Sequence, residues 1–151
     1  MPLRLTVLLS LLLALGMPAL ASSARGQSLS ADALSGADRA AIRDVIAAQV
    51  EAFRRDDGEA AFSLASPAIR RMFGTAEIFM DMVRQGYQPV YRPRRFDFDG
   101  IVSVEGQPAQ KVDVVGPDGR PVIAIYPMTR LPDGSWRIDG CFLKAPQEHQ
   151  A

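Results

Sequence analysis

The sequence has little of the chemistry that most catalytic and metal sites require, since it contains one cysteine, Cys141, and one histidine, His149. A single cysteine excludes a disulfide within the chain, and these two residues cannot supply the ligands of a zinc site. No acidic stretch has the spacing of a calcium loop. Because no histidine stands near it to act as a base, Cys141 is more typical of a buried thiol than of a nucleophile. We therefore expect no metal and no cofactor.

An excess of charge of one sign is also missing, because 17 Lys and Arg residues balance 17 Asp and Glu residues. A balanced chain gives no electrostatic reason to bind nucleic acid or an anionic membrane. The sequence therefore predicts neither as a partner.

Long hydrophobic runs are absent except at the start of the chain. There, Arg4 precedes an apolar run at 5–15, and Ala19-Leu20-Ala21 fits the small-residue cleavage rule. We predict a signal peptide at 1–21, with Ala24 as the alternative end. An uncleaved anchor is less favoured, because the run is shorter than the ~20 residues that cross a bilayer. These features predict a periplasmic or secreted protein with no stable membrane insertion after cleavage.

The next part of the chain has helical periodicity. The small, polar segment at 22–36 is predicted to be a flexible, loosely held lead-in. After it, apolar residues recur from Ile42 to Phe53 at i, i+3, i+4 spacing, and Ser35 or Asp38 can cap this first helix. Three shorter helices are predicted after it. They cover about 59–64, the turn from Ser66-Pro67 to Phe73, and a helix capped by Thr75 that buries Ile78, Phe79, Met82 and Val83. Pro89 and Pro93 then favour extended backbone.

From Arg95 onward the apolar residues alternate, as in β-strands. If the first strand is unbroken across Gly100, Phe96, Phe98, Val102 and Val104 share one face. A bulge at Gly100 would instead exchange the faces of the later residues. Further strands are predicted around Val112, at 122–129 with a bulge or an end at Pro127, and at 135–144, where Trp136, Ile138 and Phe142 lie. Helices followed by about four antiparallel strands predict an α+β fold, with the helices packed on one face of a curved sheet. We place a single domain at 37–145 and a polar tail at 146–151.

Four stretches of the sequence resemble stretches found in other proteins. They are Ala-Phe-Arg-Arg-Asp-Asp at 52–57, Ala-Ser-Pro-Ala-Ile-Arg-Arg-Met-Phe-Gly at 65–74, Met-Val-Arg-Gln-Gly-Tyr-Gln-Pro-Val-Tyr-Arg-Pro-Arg at 82–94, and Gly-Ser-Trp-Arg-Ile-Asp-Gly-Cys-Phe-Leu at 134–143. They resemble a family of exported bacterial proteins known as a domain of unknown function. That family is similar to the nuclear-transport-factor-two-like, or ketosteroid-isomerase-like (SnoaL-like), cone fold, which is cystatin-like in its helix-on-sheet layers. The resemblance implies a pocket between helices and sheet, and it brings no catalytic residues with it.

A basic and aromatic stretch, from Gly86 to Phe98, is the first candidate site. Arginines bind carboxylates and phosphates through paired hydrogen bonds, and tyrosines can wall a pocket. The alternative is a stiff connector whose arginines pair with nearby carboxylates. The candidate ligand-binding residues are Arg84, Tyr87, Tyr91, Arg92, Arg94 and Arg95.

A pocket carboxylate is the second candidate. Asp97, Asp99 and Asp113 alternate with apolar residues and are expected to face water. Asp139, beside a glycine in the last predicted strand, is the best remaining acid for proton transfer. Tyr91 or Tyr126 would assist it. A solvated strand position is the simpler interpretation of Asp139.

These observations favour a non-catalytic module that binds a small apolar or anionic molecule, or a protein partner. One alternative is a cofactor-free isomerase or hydrolase that uses Asp139 with a tyrosine. The other is a structural protein that assembles as a homodimer through one face of its sheet.

Overall fold

The structure is a computed structural model and describes residues 30–146. The predicted signal peptide, most of the predicted lead-in, His149 and the rest of the tail lie outside the described residues. Within the described part of the chain, no helix combines the length and the apolar character needed to span a membrane.

Five α-helices follow a short 3-10 turn at Ala31–Ala33. They are α1 (Gly36–Arg54), α2 (Gly58–Ser63), α3 (Pro67–Phe73), α4 (Ala76–Gly86) and α5 (Gln88–Tyr91). The predicted caps are present: Ser35 and Asp38 form a reciprocal capping box on α1, and the side chains of Ser66 and Thr75 each accept an N–H at the start of α3 and α4. Local side-chain chemistry therefore sets where these helices begin.

The apolar stripe of α1 is buried as predicted, but the predicted face of α4 is wrong in part. Ile42, Ile46 and Phe53 of α1 are all buried. In α4, Ile78 is 54% exposed, whereas Met80 is 2% exposed. The helix is rotated so that Ala76, Phe79, Met80 and Val83 face inward, which is also an i, i+3, i+4, i+7 set.

The prediction of extended backbone at Pro89 is wrong, because α5 forms a helical turn there. Proline is tolerated in the first turn of a helix, since its missing N–H would have no partner at that position. Pro89 occupies such a position, and Val90, the next residue, is buried.

Five antiparallel strands form one open sheet. They are β1 (Arg95–Val104), β2 (Gln107–Val115), β3 (Pro121–Arg130), β4 (Trp136–Ile138) and β5 (Phe142–Lys144). Their order is β1-β2-β3-β4, and β5 also pairs with β3. Helices followed by an antiparallel sheet confirm the predicted α+β class.

Of the two alternatives that the sequence left open for β1, the structure has the bulge. The register shifts between Phe98 and Ile101, so Ile101 packs on the core with Phe96 and Phe98, while Val102 turns to the opposite face. The buried side chain of Gln110 stabilises this bulge, because its amide nitrogen donates to the carbonyl oxygens of Asp99 at 2.7 Å and of Gly100 at 3.3 Å.

The predicted single last strand at 135–144 is wrong, since it is interrupted between Ile138 and Phe142. β4 pairs with the end of β3, and β5 pairs with the middle of the same strand. Pro127 lies between these paired stretches and has no N–H to donate to the ladder. Its carbonyl oxygen accepts the N–H of Asp139 at 2.8 Å. The proline therefore explains the interruption at 139–141.

Two groups of buried side chains hold the domain together. The first, here called the sheet core, lies between α1, α5 and the sheet. Its members are Leu34, Ile42, Ile46, Val90, Val112, Val114, Ala124, Tyr126, Met128, Trp136 and Ile138. The second, here called the helical cluster, consists of Ala52, Phe53, Ala61, Phe79, Met80 and Val83. Leu34 is 7% exposed, so the last residues of the predicted lead-in are packed against the domain.

Candidate functional site

A cavity of about 440 Å³ separates α3 and α4 from the sheet. This volume lies within the range of small-molecule sites in proteins. Apolar side chains form most of its wall. The lining residues are Gln49, Phe53, Ala65, Ile69, Met72, Phe73, Phe79, Met82, Val83, Tyr87, Val90, Tyr126, Ile138, Asp139, Gly140, Cys141 and Phe142.

The cavity opens to solvent beside α3 and β5. Met72 and Phe142 line it and are nevertheless 70% and 52% exposed. α3 has no buried residue, so this short helix is a thin wall on the solvent side. A molecule in solution therefore has access to the apolar interior.

The start of α3 is joined to the sheet by backbone contacts. The N–H of Ile138 donates to the carbonyl oxygen of Leu64 at 3.0 Å, and the N–H of Ser66 donates to the carbonyl oxygen of Ile138 at 2.8 Å. Ala65 thereby forms an isolated parallel bridge with Ile138. These contacts fix one end of α3 at the edge of the sheet, and the rest of the helix extends over the cavity.

Asp139, the carboxylate suggested by the sequence, lies in the cavity wall. Its Oδ1 accepts a hydrogen bond from the Ser66 hydroxyl at 2.6 Å, and its Oδ2 accepts one from the Gln107 amide at 2.9 Å. The Ser66 hydroxyl also caps α3. The carboxylate therefore connects β2, the interruption after β4 and the start of α3.

Tyr126 and Cys141 place a hydroxyl and a thiol in the wall. Burial raises the pKa of Cys141 to about 12 and the pKa of Tyr126 well above its usual value, with a smaller contribution from the neighbouring thiol. Both groups therefore stay protonated at physiological pH. The Tyr126 hydroxyl is buried and lies beside the Cys141 thiol.

Tyr87 is the one member of the predicted arginine and tyrosine group that lines the cavity. Its hydroxyl donates to the carbonyl oxygen of Cys141 at 3.2 Å, and burial raises its pKa. Tyr87 therefore ties the start of α5 to the interruption between β4 and β5.

Three other members of that group gather around Asp56, away from the cavity lining. The Arg92 guanidinium lies 3.9 Å from the ring centroid of Tyr91 and donates to the Asp56 carboxylate at 2.9 Å. The Tyr91 hydroxyl also donates to Asp56. The guanidinium of Arg84 lies 3.9 Å from the same carboxylate. The hydrogen bond from Tyr91, followed by those of Arg92, lowers the pKa of Asp56. These charges are thus paired within the chain.

Arg94 and Arg95 neither line the cavity nor contact Asp56. The Arg94 N–H donates to the Val115 carbonyl oxygen at 2.8 Å, and Arg95 pairs with Asp97 at 2.7 Å on an exposed surface. Arg95 borders a second hollow of about 520 Å³ on the outer face of the sheet, together with Lys111, Asp113 and Lys144. The six residues that the sequence suggested therefore do not share one concave surface.

Most of the lining could not be recognised as a site from the sequence. Met72, Phe73 and Met82 carry no signal that distinguishes a side chain lining a cavity from one filling a core. Tyr87, Tyr126 and Asp139 were candidates, and the structure brings them to the same cavity. Within residues 30–146, no cluster of three or more His, Cys, Asp or Glu side chains is arranged to hold a metal ion.

Comparison with known proteins yields a single finding. The model of a family described as "Domain of unknown function (DUF4864)" matches residues 35–151, which include all the helices and strands after the first 3-10 turn. No curated protein and no solved structure matches the chain.

Proposed function

Because the chain belongs to the DUF4864 family, whose description assigns no activity, we propose a function from the cavity: the protein binds a small, neutral, largely apolar molecule between α3, α4 and the sheet. The observation that carries this proposal is the apolar cavity of about 440 Å³ with an opening at Met72 and Phe142. Small-molecule sites in proteins are concave, mostly apolar and of about this size. Burying a ligand's apolar surface here would supply the binding free energy.

The charges of the wall favour a neutral ligand over an anionic one. Among residues 30–146, no arginine or lysine lines the cavity. The only carboxylate, Asp139, already accepts hydrogen bonds from Ser66 and Gln107. An anion placed here would lose its hydration without gaining a cation. Arg84 and Arg92, which the sequence suggested for an anion, are paired with Asp56 instead.

Catalysis by a cofactor-free isomerase or hydrolase is the second candidate, favoured by the fact that Asp139 and Tyr126 line the same cavity. Proton transfer needs a base within hydrogen-bond reach of the substrate. The two contacts of Asp139 instead hold the carboxylate against the start of α3 and against β2. Binding without turnover is therefore the better supported function.

The architecture also supports placing the domain in the nuclear-transport-factor-two-like cone class. Helices cover one face of an open antiparallel sheet, and the cavity lies between the two layers. Export remains a proposal that depends on the signal peptide predicted at 1–21.

Binding of N-phenyl-1-naphthylamine, a neutral fluorophore that brightens in apolar surroundings, tests the proposal. We expect saturable binding to the wild-type protein with one site per chain. Met82→Trp fills the cavity from α4 and should weaken binding about tenfold or more. Ile78→Trp is the matched control, because Ile78 is on the same helix, is 54% exposed and does not line the cavity.

The control should bind like the wild type, with circular dichroism verifying that both variants are folded. Absence of saturable binding to the wild type would overturn the proposal. Equal binding by a folded Met82→Trp variant would overturn it as well.

A further inference from the structure

Gln49 places an amide side chain in the buried, otherwise apolar stripe of α1. The residue is 3% exposed, and it lines the cavity together with Phe53, which lies about one helical turn further along the same helix. A buried amide costs free energy unless its donor and acceptor atoms are hydrogen-bonded. The presence of a glutamine at this position therefore calls for an explanation.

The amide nitrogen of Gln49 is bonded to the protein. It donates to the carbonyl oxygen of Ala61 at 3.2 Å. That carbonyl oxygen also accepts the N–H of Leu64 at 3.3 Å, so it does not depend on Gln49 for a partner. Because a carbonyl oxygen can only accept, the atom of the amide that faces it must be the nitrogen. The free end of the Gln49 side chain is therefore its oxygen.

The Oε1 atom of Gln49 accepts no hydrogen bond from any of residues 30–146. It is also not one of the fully enclosed atoms without a partner in this part of the chain, so it keeps access to the space beside it. That space is the cavity, because Gln49 lines it and the residue is otherwise buried. The oxygen is thus available to a hydrogen-bond donor that enters the cavity.

Water is a poor permanent partner for this oxygen. A buried water molecule typically makes about three hydrogen bonds to polar groups that would otherwise be unpaired. Both oxygens of the Asp139 carboxylate already accept hydrogen bonds, and the Tyr87 hydroxyl already donates one. A ligand that brings its own donor pairs with the oxygen and covers the apolar wall at the same time.

We infer that the ligand carries a hydroxyl or N–H group that donates a hydrogen bond to Oε1 of Gln49, as in an alcohol or an aromatic amine with an apolar body. This inference rests on the proposed function and narrows it. A ligand without such a donor leaves the buried acceptor unpaired, and sites built to bond a polar group discriminate against analogues that lack it. Gln49 is therefore the residue that selects among neutral, apolar molecules.

Two probes that differ in one group test this inference. They are 2-naphthalenemethanol, which carries a hydroxyl, and 2-ethylnaphthalene, in which a methyl group replaces that hydroxyl. Each is titrated against bound N-phenyl-1-naphthylamine in the wild-type protein, in Gln49→Leu and in Gln88→Leu. The last variant is the matched control, because the Gln88 amide also donates to a helix carbonyl oxygen, that of Arg84, but Gln88 is exposed and does not line the cavity.

The ratio of the two affinities is the quantity to compare. We expect the preference for the alcohol to fall roughly tenfold in Gln49→Leu and to stay unchanged in Gln88→Leu, because one hydrogen bond corresponds to about that factor. The affinity of 2-ethylnaphthalene itself should not fall, because this probe does not bond the Gln49 oxygen. Each affinity is calculated with the variant's own affinity for the fluorophore, which carries an N–H group. Circular dichroism verifies folding, and Gln49→Met takes the place of Gln49→Leu if the latter does not fold.

The outcomes separate the two proposals. If both probes bind and the folded Gln49 variant leaves their affinity ratio unchanged, this inference is wrong and the proposed function stands. An equal fall of the ratio in Gln88→Leu would also overturn the inference, because the effect would then not come from the cavity. If neither probe displaces the fluorophore and the fluorophore itself does not bind, the proposed function fails, and the inference fails with it.

Discussion

The sheet core and the helical cluster contain similar apolar residues but use them differently. In the sheet core, Ile42, Ile46 and Val112 are all 0% exposed, and α1 covers the sheet closely. In the helical cluster, Phe53, Phe79 and Val83 border an open cavity. Val90, Tyr126 and Ile138 of the sheet core also line the cavity. The comparison therefore indicates that the part of the sheet core beneath α1 supplies stability, while the helical cluster and these three residues leave space for a ligand.

The lengths of the helices explain this difference. α1 has 19 residues and presents a continuous buried stripe to the sheet. α3 has 7 residues and ends at Gly74, whose φ of 79° lies in the left-handed region that favours glycine. α3 buries none of its residues, and Met72 near its end is 70% exposed. The space beneath it therefore stays open.

The largest expected effect is a loss of stability when the sheet core is truncated. Ile46→Ala should lower the free energy of unfolding by about 2–5 kcal/mol, because it leaves a void in a close-packed region. Met72→Ala, at the mouth of the cavity, should lower it by less than about 1 kcal/mol. Urea denaturation of both variants measures the difference. Equal losses would contradict the distinction between the two regions.

A smaller loss is expected when the carboxylate that joins the start of α3 to the sheet is removed. Asp139→Ala leaves the Ser66 hydroxyl and the Gln107 amide without their shared acceptor, which should cost about 1–3 kcal/mol in the free energy of unfolding. Asp97→Ala is the control, because its ion pair with Arg95 is exposed and such pairs contribute less than about 1 kcal/mol. If Asp139→Ala is as stable as this control, the hydrogen bonds of Asp139 do not contribute to the stability of the domain.

The sequence predicts the sheet core much better than the cavity. The stripe on α1 and the caps at Ser35 and Ser66 depend on local spacing, and the structure confirms them. The face of α4 was partly misassigned, because sets containing Ile78 or Met80 both fit a helical period. Only tertiary contacts decide between them.

The interruption between β4 and β5 shows a similar limit of sequence interpretation. A bulge or an end was predicted at Pro127, yet its effect on the neighbouring strand, at 139–141, depends on how the strands pair. The cavity depends on distances between elements that are far apart in the chain. Periodicity within one element carries no information about those distances.

The third prediction concerns the pH dependence of stability at the cavity wall. The pKa of Cys141 is raised to about 12 by burial, whereas an unfolded thiol has a pKa of about 8.5. The protonated thiol therefore adds stability that is fully present below about pH 8.5 and is lost as the pH rises toward the folded value. Between about pH 9 and pH 10, the wild type should lose about 1 kcal/mol more than Cys141→Ala.

Denaturation at a series of pH values provides this measurement. Tyr126, whose pKa is also raised, is present in both proteins, so its contribution cancels when the two slopes are compared. Identical slopes for the wild type and Cys141→Ala would show that water reaches the thiol freely.

The smallest effect is expected for Arg92→Ala, whose affinity for the fluorophore should not change. Arg92→Ala removes the cation that stacks on Tyr91 and pairs with Asp56, at a place that does not border the cavity. Binding of N-phenyl-1-naphthylamine should therefore stay within about twofold of the wild-type affinity. A larger loss of affinity would mean that Arg92 and its contacts with Tyr91 and Asp56 contribute to the binding site.

Methyl NMR during a titration with N-phenyl-1-naphthylamine tests the central claim most directly, because it observes the cavity wall and the packed interior in one experiment. The account predicts shifts for methyl groups that line the cavity, at Ile69, Met82 and Val83, while those of Ile42 and Ile46, which lie in the sheet core and do not line the cavity, stay in place. Shifts confined to the outer sheet face, or equal shifts for the lining methyl groups and for Ile42 and Ile46, would contradict it.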